Sequence, residues 1–192
     1  MSHRESWPGD DEADEAERDE PSAEDEEDEP ELRVVQHPDD GIDVPDDVEL
    51  LEGEVRGVRR GVGIVLARSP EAIASALLDA AFAELDKVNV GREHVTVMLV
   101  PGAFELALGA MALAKTRRYS CIVALGDASG SSVLAGEAAS GLQLAGLETG
   151  IPVAFGVLTD GGEPAERAAA AVRTGLEMAD VFQQLRAAAK SV

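Results

Sequence analysis

From residue 62 onward the chain repeats one pattern four times: a short apolar run, a turn, then a stretch with apolar residues at helical spacing. Val62-Gly63-Ile64-Val65-Leu66-Ala67 is rich in β-branched residues and has no polar position, which predicts a strand buried on both faces. Pro70 opens a helical stretch with Ile73, Leu77, Ala81 and Leu85 on one face and Glu71 in its first turn. A second strand is expected at Val95–Val100, closed by Pro101-Gly102 and followed by a helix ending near Lys115, with basic residues in its last turn. The third unit is Cys121–Leu125, a Gly/Ser loop, and a helix over Val133–Leu147. Pro152–Val157 is the fourth strand, and the last helix runs from Pro164 through Phe182 toward Ala189.

Four βα units in succession imply an α/β fold: a flavodoxin-like three-layer α/β/α arrangement around a four-stranded parallel sheet with right-handed crossovers. Ligands of such sheets gather in the crevice beyond the carboxyl ends of the strands. Four turns therefore hold the candidate chemistry: Ala67–Glu71, Pro101–Glu105, Gly126–Ser132 and Leu158–Glu163.

Charge divides the chain in two. Residues 1–49 carry 22 acidic side chains and only Arg4, Arg18 and Arg33, whereas the following 143 residues carry 16 acidic and 13 basic ones. The formal net charge of -22 thus belongs to the first segment, and residues 50–192 form a nearly neutral domain. A stretch so poor in apolar residues as Asp10–Glu31 cannot bury enough surface to offset its chain entropy, so residues 1–49 are expected to be a disordered acidic tail. Such a tail either keeps an assembly soluble or recruits a basic protein partner. No excess of Lys and Arg is available to neutralise phosphates, which argues against nucleic-acid binding.

One cysteine, Cys121, excludes an internal disulfide, and with only His3, His37 and His94 a metal site would have to be built largely of carboxylates. The acidic start is unlike a signal peptide, and the apolar stretch Val95–Ala114 is broken by Pro101-Gly102 and carries Glu105. A soluble cytoplasmic protein is the expectation. No Gly-Lys-Ser/Thr follows the Gly126–Ser132 loop, and no Gly-x-Ser-x-Gly is present, so a phosphate-binding Walker loop and a serine hydrolase are both excluded.

The turns carry a resemblance. Val100-Pro101-Gly102-Ala103-Phe104-Glu105, Ala124-Leu125-Gly126, Glu137-Ala138-Ala139, the run Leu147 to Thr159 (LETGIPVAFGVLT) and Glu166-Arg167-Ala168 are similar to the lumazine synthase family, over about residues 50–182. The resemblance implies condensation of a ribitylamino-pyrimidinedione with 3,4-dihydroxy-2-butanone 4-phosphate, the penultimate step of riboflavin biosynthesis. It further implies no cofactor and no metal, self-association into pentamers or larger shells, and an active site between adjacent subunits. Leu51-Glu52-Gly53 resembles the family's N-terminal strand, which pairs with a neighbouring subunit. By the same resemblance Gly102, Ala103, Phe104 and Glu105 bind the ribityl chain and pyrimidine, Phe155 belongs to the pocket, and Arg167 holds the phosphate.

Two departures stand out. Ser69 occupies the place where the family offers an aromatic ring to stack on the pyrimidine, an interaction worth about 0.5–1.5 kcal/mol beyond area burial. The third turn, Gly126 to Gly136, is shorter than the family's and lacks the arginine, the Gly-x-Thr and the proton-shuttling histidine. Asp127 reads first as a loop or helix-capping carboxylate and only second as the candidate acid/base there, while Ser131 and Ser132 can cradle an anion or cap the helix. Arg173 is the one basic residue available to replace a lysine of the family near the phosphate. One subsite is kept and the other eroded. Three readings follow: a slow synthase, a non-catalytic scaffold or shell-forming paralogue, and a binder of a flavin- or pyrimidine-like ligand.

Overall fold

The computed structural model describes residues 43–45, 47–159 and 162–190, all within one compact unit spanning residues 31–192. The acidic tail expected over residues 1–49 lies, for residues 1–42 and 46, outside the described residues. Four parallel strands are found: β1 (Val62–Ala67), β2 (Val95–Val100), β3 (Cys121–Asp127) and β4 (Val153–Leu158), in the order β2-β1-β3-β4. Each is followed by a helix: α1 (Glu71–Lys87), α2 (Leu106–Lys115), α3 (Ser132–Thr149) and α4 (Pro164–Ala188).

The apolar runs become strands because each can bury both faces. β1 and β3 are central and buried throughout, save Asp127 at the end of β3; β2, at an edge, is half-exposed along most of its length. Side chains alternate across the sheet. Ile64, Leu66, Val123 and Leu125 pack with Leu77, Leu85, Val172 and Leu176 beneath α1 and α4. Val65, Ile122, Ala124 and Val157 pack with Leu106, Ala110, Leu113 and Leu142 beneath α2 and α3. The result is three layers.

Helix ends follow the expected local chemistry. Pro70 precedes α1, with Glu71 in its first turn and Lys87 in its last. Ser131 Oγ accepts a hydrogen bond from the Leu134 N–H (3.3 Å) at the start of α3. Gly150 ends that helix with φ +65°, a conformation a side chain would strain, and donates to the Gly146 carbonyl (2.8 Å). The strand boundaries move little: β3 runs two residues past Leu125 because Asp127 still pairs with Leu158.

Leu51-Glu52-Gly53 makes no strand within the chain. It lies along α4, where Gln184 Nε2 donates to the Glu52 carbonyl (2.8 Å) and a Cβ on Gly53 would meet the Glu177 carbonyl oxygen at 2.4 Å. A strand role there would need a second chain. Among the described residues no helix is long and apolar enough to cross a membrane, and no group of three His, Cys, Asp or Glu is placed to hold a metal ion.

Candidate functional site

The chain visits β1, crosses to β2, then returns past β1 to β3, so the strand order reverses between β1 and β3. The crevice beyond that pair is where a doubly wound sheet binds ligand. It opens between the turn after β1 and the turn after β3.

The first turn is tied to its neighbour by the Arg68 N–H, which donates to the Val100 carbonyl (2.9 Å) and leaves the Arg68 side chain exposed. Ser69 follows. Its hydroxyl is buried and has no hydrogen-bond partner, the one such side-chain atom among the described residues. Burying a hydroxyl unpaired costs about 1–3 kcal/mol, so a position like this calls for an explanation in ligand binding or strain. The expected site residue thus stands beside the switch-point crevice with an unused donor and acceptor.

In the third turn Asp127 is half-buried, and its Oδ1 accepts from the Ser129 N–H (2.8 Å) and from the Ser129 hydroxyl. This is an Asx-type turn, and it spends one carboxylate oxygen on loop geometry. Ala128 N–H donates to the Leu158 carbonyl (2.9 Å), Gly130 takes φ +81°, and Ser131 caps α3 while Ser132 is exposed as its first residue.

The second turn lies farther out, at the end of edge strand β2. Gly102 is extended, and a short 3-10 turn over Ala103–Glu105 closes with Glu105 N–H donating to the Gly102 carbonyl (3.2 Å). Ala103 is buried, Phe104 is 66% exposed, and the Glu105 carboxylate folds back so that a Cβ on Gly102 would sit 3.4 Å from its Oε2. An aromatic ring that large facing solvent beside a half-buried carboxylate is a surface made to be covered.

Phe155 and Arg167 lie on the far side. Phe155 is in β4, in register with Ala124, half-buried against the α2–α3 layer. Arg167 is exposed in the first turns of α4, in a groove of about 310 Å³ formed with Gly162, Glu163, Glu166, Ala170 and Arg173. Because β1 and β3 separate β2 from β4, the Phe104–Glu105 turn and the Phe155–Arg167 side stand three strand spacings apart, roughly 14 Å. One chain therefore does not bring the two halves together.

Arg173 lines the same groove as Arg167 but is already paired with a carboxylate. Its Nη1 lies 3.0 Å from Oε1 of Glu84, whose carboxylate is 2% exposed and also bonds Lys87 Nζ at 2.8 Å. Burial pushes the Glu84 carboxyl up, but hydrogen bonds and charges from Lys87 and Arg173 outweigh it and hold its pKa below the ordinary 4.5. Glu84 was not among the expected site residues, although its place one residue before Leu85 on the buried stripe of α1 is a visible signal. Arg167 is flanked instead by the exposed carboxylates Glu163 and Glu166. His94 sits in an exposed turn before β2, at the amino end of the sheet and away from every residue above.

Both outer edges are apolar. Leu99, Phe104 and Leu108 are 56%, 66% and 69% exposed at the β2 edge. Beside β4, a groove of about 370 Å³ between α3 and α4 is lined by Leu142, Leu147, Ile151, Val153, Met178 and Phe182.

A family model described as 6,7-dimethyl-8-ribityllumazine synthase matches residues 60–189. Curated proteins of that name from Yersinia pestis (strain Pestoides F) and Yersinia pseudotuberculosis serotype O:1b (strain IP 31758) are each 37% identical over 155 residues, which cover 72% of this chain and 99% of the relative.

Proposed function

This chain belongs to the 6,7-dimethyl-8-ribityllumazine synthase family of riboflavin biosynthesis, and from that premise we propose that it keeps the pyrimidine-binding half of the site, has lost much of the phosphate half, and condenses the two substrates slowly. Residues 50–192 are read as the synthase-like domain and residues 1–49 as an acidic arm that recruits a basic protein partner, in a cytoplasmic assembly.

The observation that carries this reading is the charge around Arg167. A phosphate site needs converging cations. Here Arg167 shares its groove with Glu163 as well as with Glu166 of the retained Glu166-Arg167-Ala168 motif, and the second cation, Arg173, is held by Glu84. The sequence places no histidine between Leu125 and Gly150 to shuttle protons. Loss of a general acid/base costs about 10²–10⁴-fold in rate, which slows the condensation without abolishing it. What remains is proximity: Gly102, Ala103, Phe104 and Glu105 hold the ribityl chain and pyrimidine with Ser69 on the pyrimidine side, Phe155 and Arg167 come from a neighbouring subunit, and Ser131 and Ser132 serve the phosphate of the second substrate. Asp127 is the remaining acid/base candidate through its second carboxylate oxygen.

Self-association supports the same reading. Apolar faces on opposite edges of the sheet are different surfaces, and a contact between them is heterologous, which closes into a ring when the rotation permits. Such a ring would bring the Phe104–Glu105 turn of one subunit toward the Phe155–Arg167 side of the next. The exposed apolar edges serve equally a non-catalytic shell-forming paralogue, which is the second reading.

The test is lumazine formation from both substrates, followed by product absorbance against the uncatalysed rate. A rate above background that drops in Glu105→Ala and in Arg167→Ala supports the slow synthase. Background rate in a protein that assembles normally favours the scaffold.

A further inference from the structure

At the amino end of the sheet, opposite the switch-point crevice, α4 and the segment before β1 enclose a cleft of about 410 Å³. Among the described residues its polar lining is Arg60, Ser120, Gln183, Arg186 and Lys190, three cations and two neutral groups. β1 is six residues long, so this cleft and the carboxyl-end crevice are separated by roughly 20 Å. The two are different sites.

The cleft is built rather than accidental in one respect: its innermost cation is locked. The Arg60 side chain is 9% exposed, its Nη2 lies 2.7 Å from Asp180 Oδ1, and its Nη1 donates to the Ala179 carbonyl (3.2 Å). Asp180 is in turn held by Gln184 Nε2 (2.9 Å) and the Glu54 N–H (3.2 Å). Asp180 thus neutralises Arg60 from behind and fixes the plane of its guanidinium. An arginine has five N–H donors, and the bonds above use two of them. Arg186 is oriented too, its Nη2 donating to the Gly150 carbonyl (2.9 Å) and its guanidinium lying 5.9 Å from the Phe182 ring centroid. The Ser120 N–H is taken up by the Gly61 carbonyl (2.7 Å), which holds that residue and its hydroxyl at the rim.

Cations at the end of a helix complement its dipole, and Arg186 in the last turn of α4 does so. That does not account for Arg60, which comes from another element and converges on the same space. Oriented guanidinium forks with a neighbouring ammonium match the geometry of phosphoryl oxygens, which arginine binds in bidentate fashion. The volume falls in the range of small-molecule sites, about 300–1,000 Å³. Residues 50–192 are nearly neutral, so three converging cations make this cleft a local positive surface that favours a small anion.

We propose that this cleft is a second ligand site, separate from the synthase site, that binds the phosphoryl group of a small molecule between Arg60, Arg186 and Lys190. The phosphoryl group can come from free phosphate or from a nucleotide.

Calorimetric titration of the full chain at low salt, with pyrophosphate and with adenosine monophosphate as probes, tests it. Saturable binding is expected that weakens about tenfold or more in the double variant Arg186→Ala/Lys190→Ala, since each removed cation withdraws a charge-assisted hydrogen bond. Both side chains are exposed, but Arg186→Ala also gives up its bond to the Gly150 carbonyl, so melting and assembly are compared alongside, and Lys190→Ala alone should weaken binding in the same direction. Binding should persist in Arg167→Ala. Tighter binding of the monophosphate identifies a nucleotide site, and tighter binding of pyrophosphate a phosphate site; either supports the cleft. Absence of saturable binding up to millimolar probe overturns the proposal, as does binding that Arg167→Ala removes and the double variant leaves unchanged.

Discussion

Replacing Glu84 probes how the α1–α4 layer is held and how Arg173, which lines the groove around Arg167, is paired. In Glu84→Ala the two cations lose a countercharge that is 2% exposed. The two charge-assisted hydrogen bonds lost are worth about 1.5–3 kcal/mol each. Lys87 and Arg173 are 63% and 32% exposed and rehydrate, so the low end applies, about 3 kcal/mol for the two together. Glu84→Gln keeps the shape and one acceptor and loses the charge, so about 2 kcal/mol is expected from the value of hydrogen bonds to charged groups. For a chain of this length ~1 kcal/mol moves the melting temperature by ~2–4 °C, so the alanine variant should melt ~6–12 °C below the parent and the glutamine variant ~4–8 °C below it. Melting is followed by circular dichroism at pH 7 and fixed protomer concentration, because assembly contributes to apparent stability. The sign with pH follows from the lowered pKa of Glu84: its contribution is complete above the ordinary value of 4.5 and is lost as pH falls through the lower value in the folded protein. The gap between parent and Glu84→Gln should therefore narrow below that pH. An alanine variant melting within ~2 °C of the parent, or a gap that stays constant into strong acid, would refute the reasoning.

Two further outcomes are expected. Ser69→Ala removes the buried hydroxyl that lacks a partner, so it should leave the free protein equally stable or raise its melting point while weakening substrate binding; a fall in melting temperature would mean that the hydroxyl is already satisfied. Burial pushes the Cys121 thiol up to about 12, with the Arg60 charge acting weakly the other way, so thiol reagents at pH 8 should label it only after denaturation; rapid labelling of the native protein would contradict its place in the core.

Much of the fold could be read from periodicity alone, and particular elements show why. β1 and β2 begin and end where their apolar runs do, because a strand in a parallel sheet needs an uninterrupted apolar segment and Gly or Pro turns close it. Pro70, Ser131, Gly150 and Pro164 mark helix ends by backbone constraints that act within a few residues. The turns proposed to hold the site were placed by the βα succession alone, since ligands of such sheets gather after the strands. Other facts were invisible to local pattern. Arg173 read as a spare cation until α1 packed against α4 and set Glu84, 89 positions away, beside it. Arg60 and Asp180 are 120 positions apart, and nothing near either residue announces the pair or the cleft above it. The separation of Phe104–Glu105 from Phe155–Arg167 depends on β1 and β3 lying between their strands, which is a matter of strand order. Periodicity records only whether a position meets apolar surroundings. Which residues meet is decided by the packing of whole elements, so the charge partners that determine what each site can bind appear only in the folded chain.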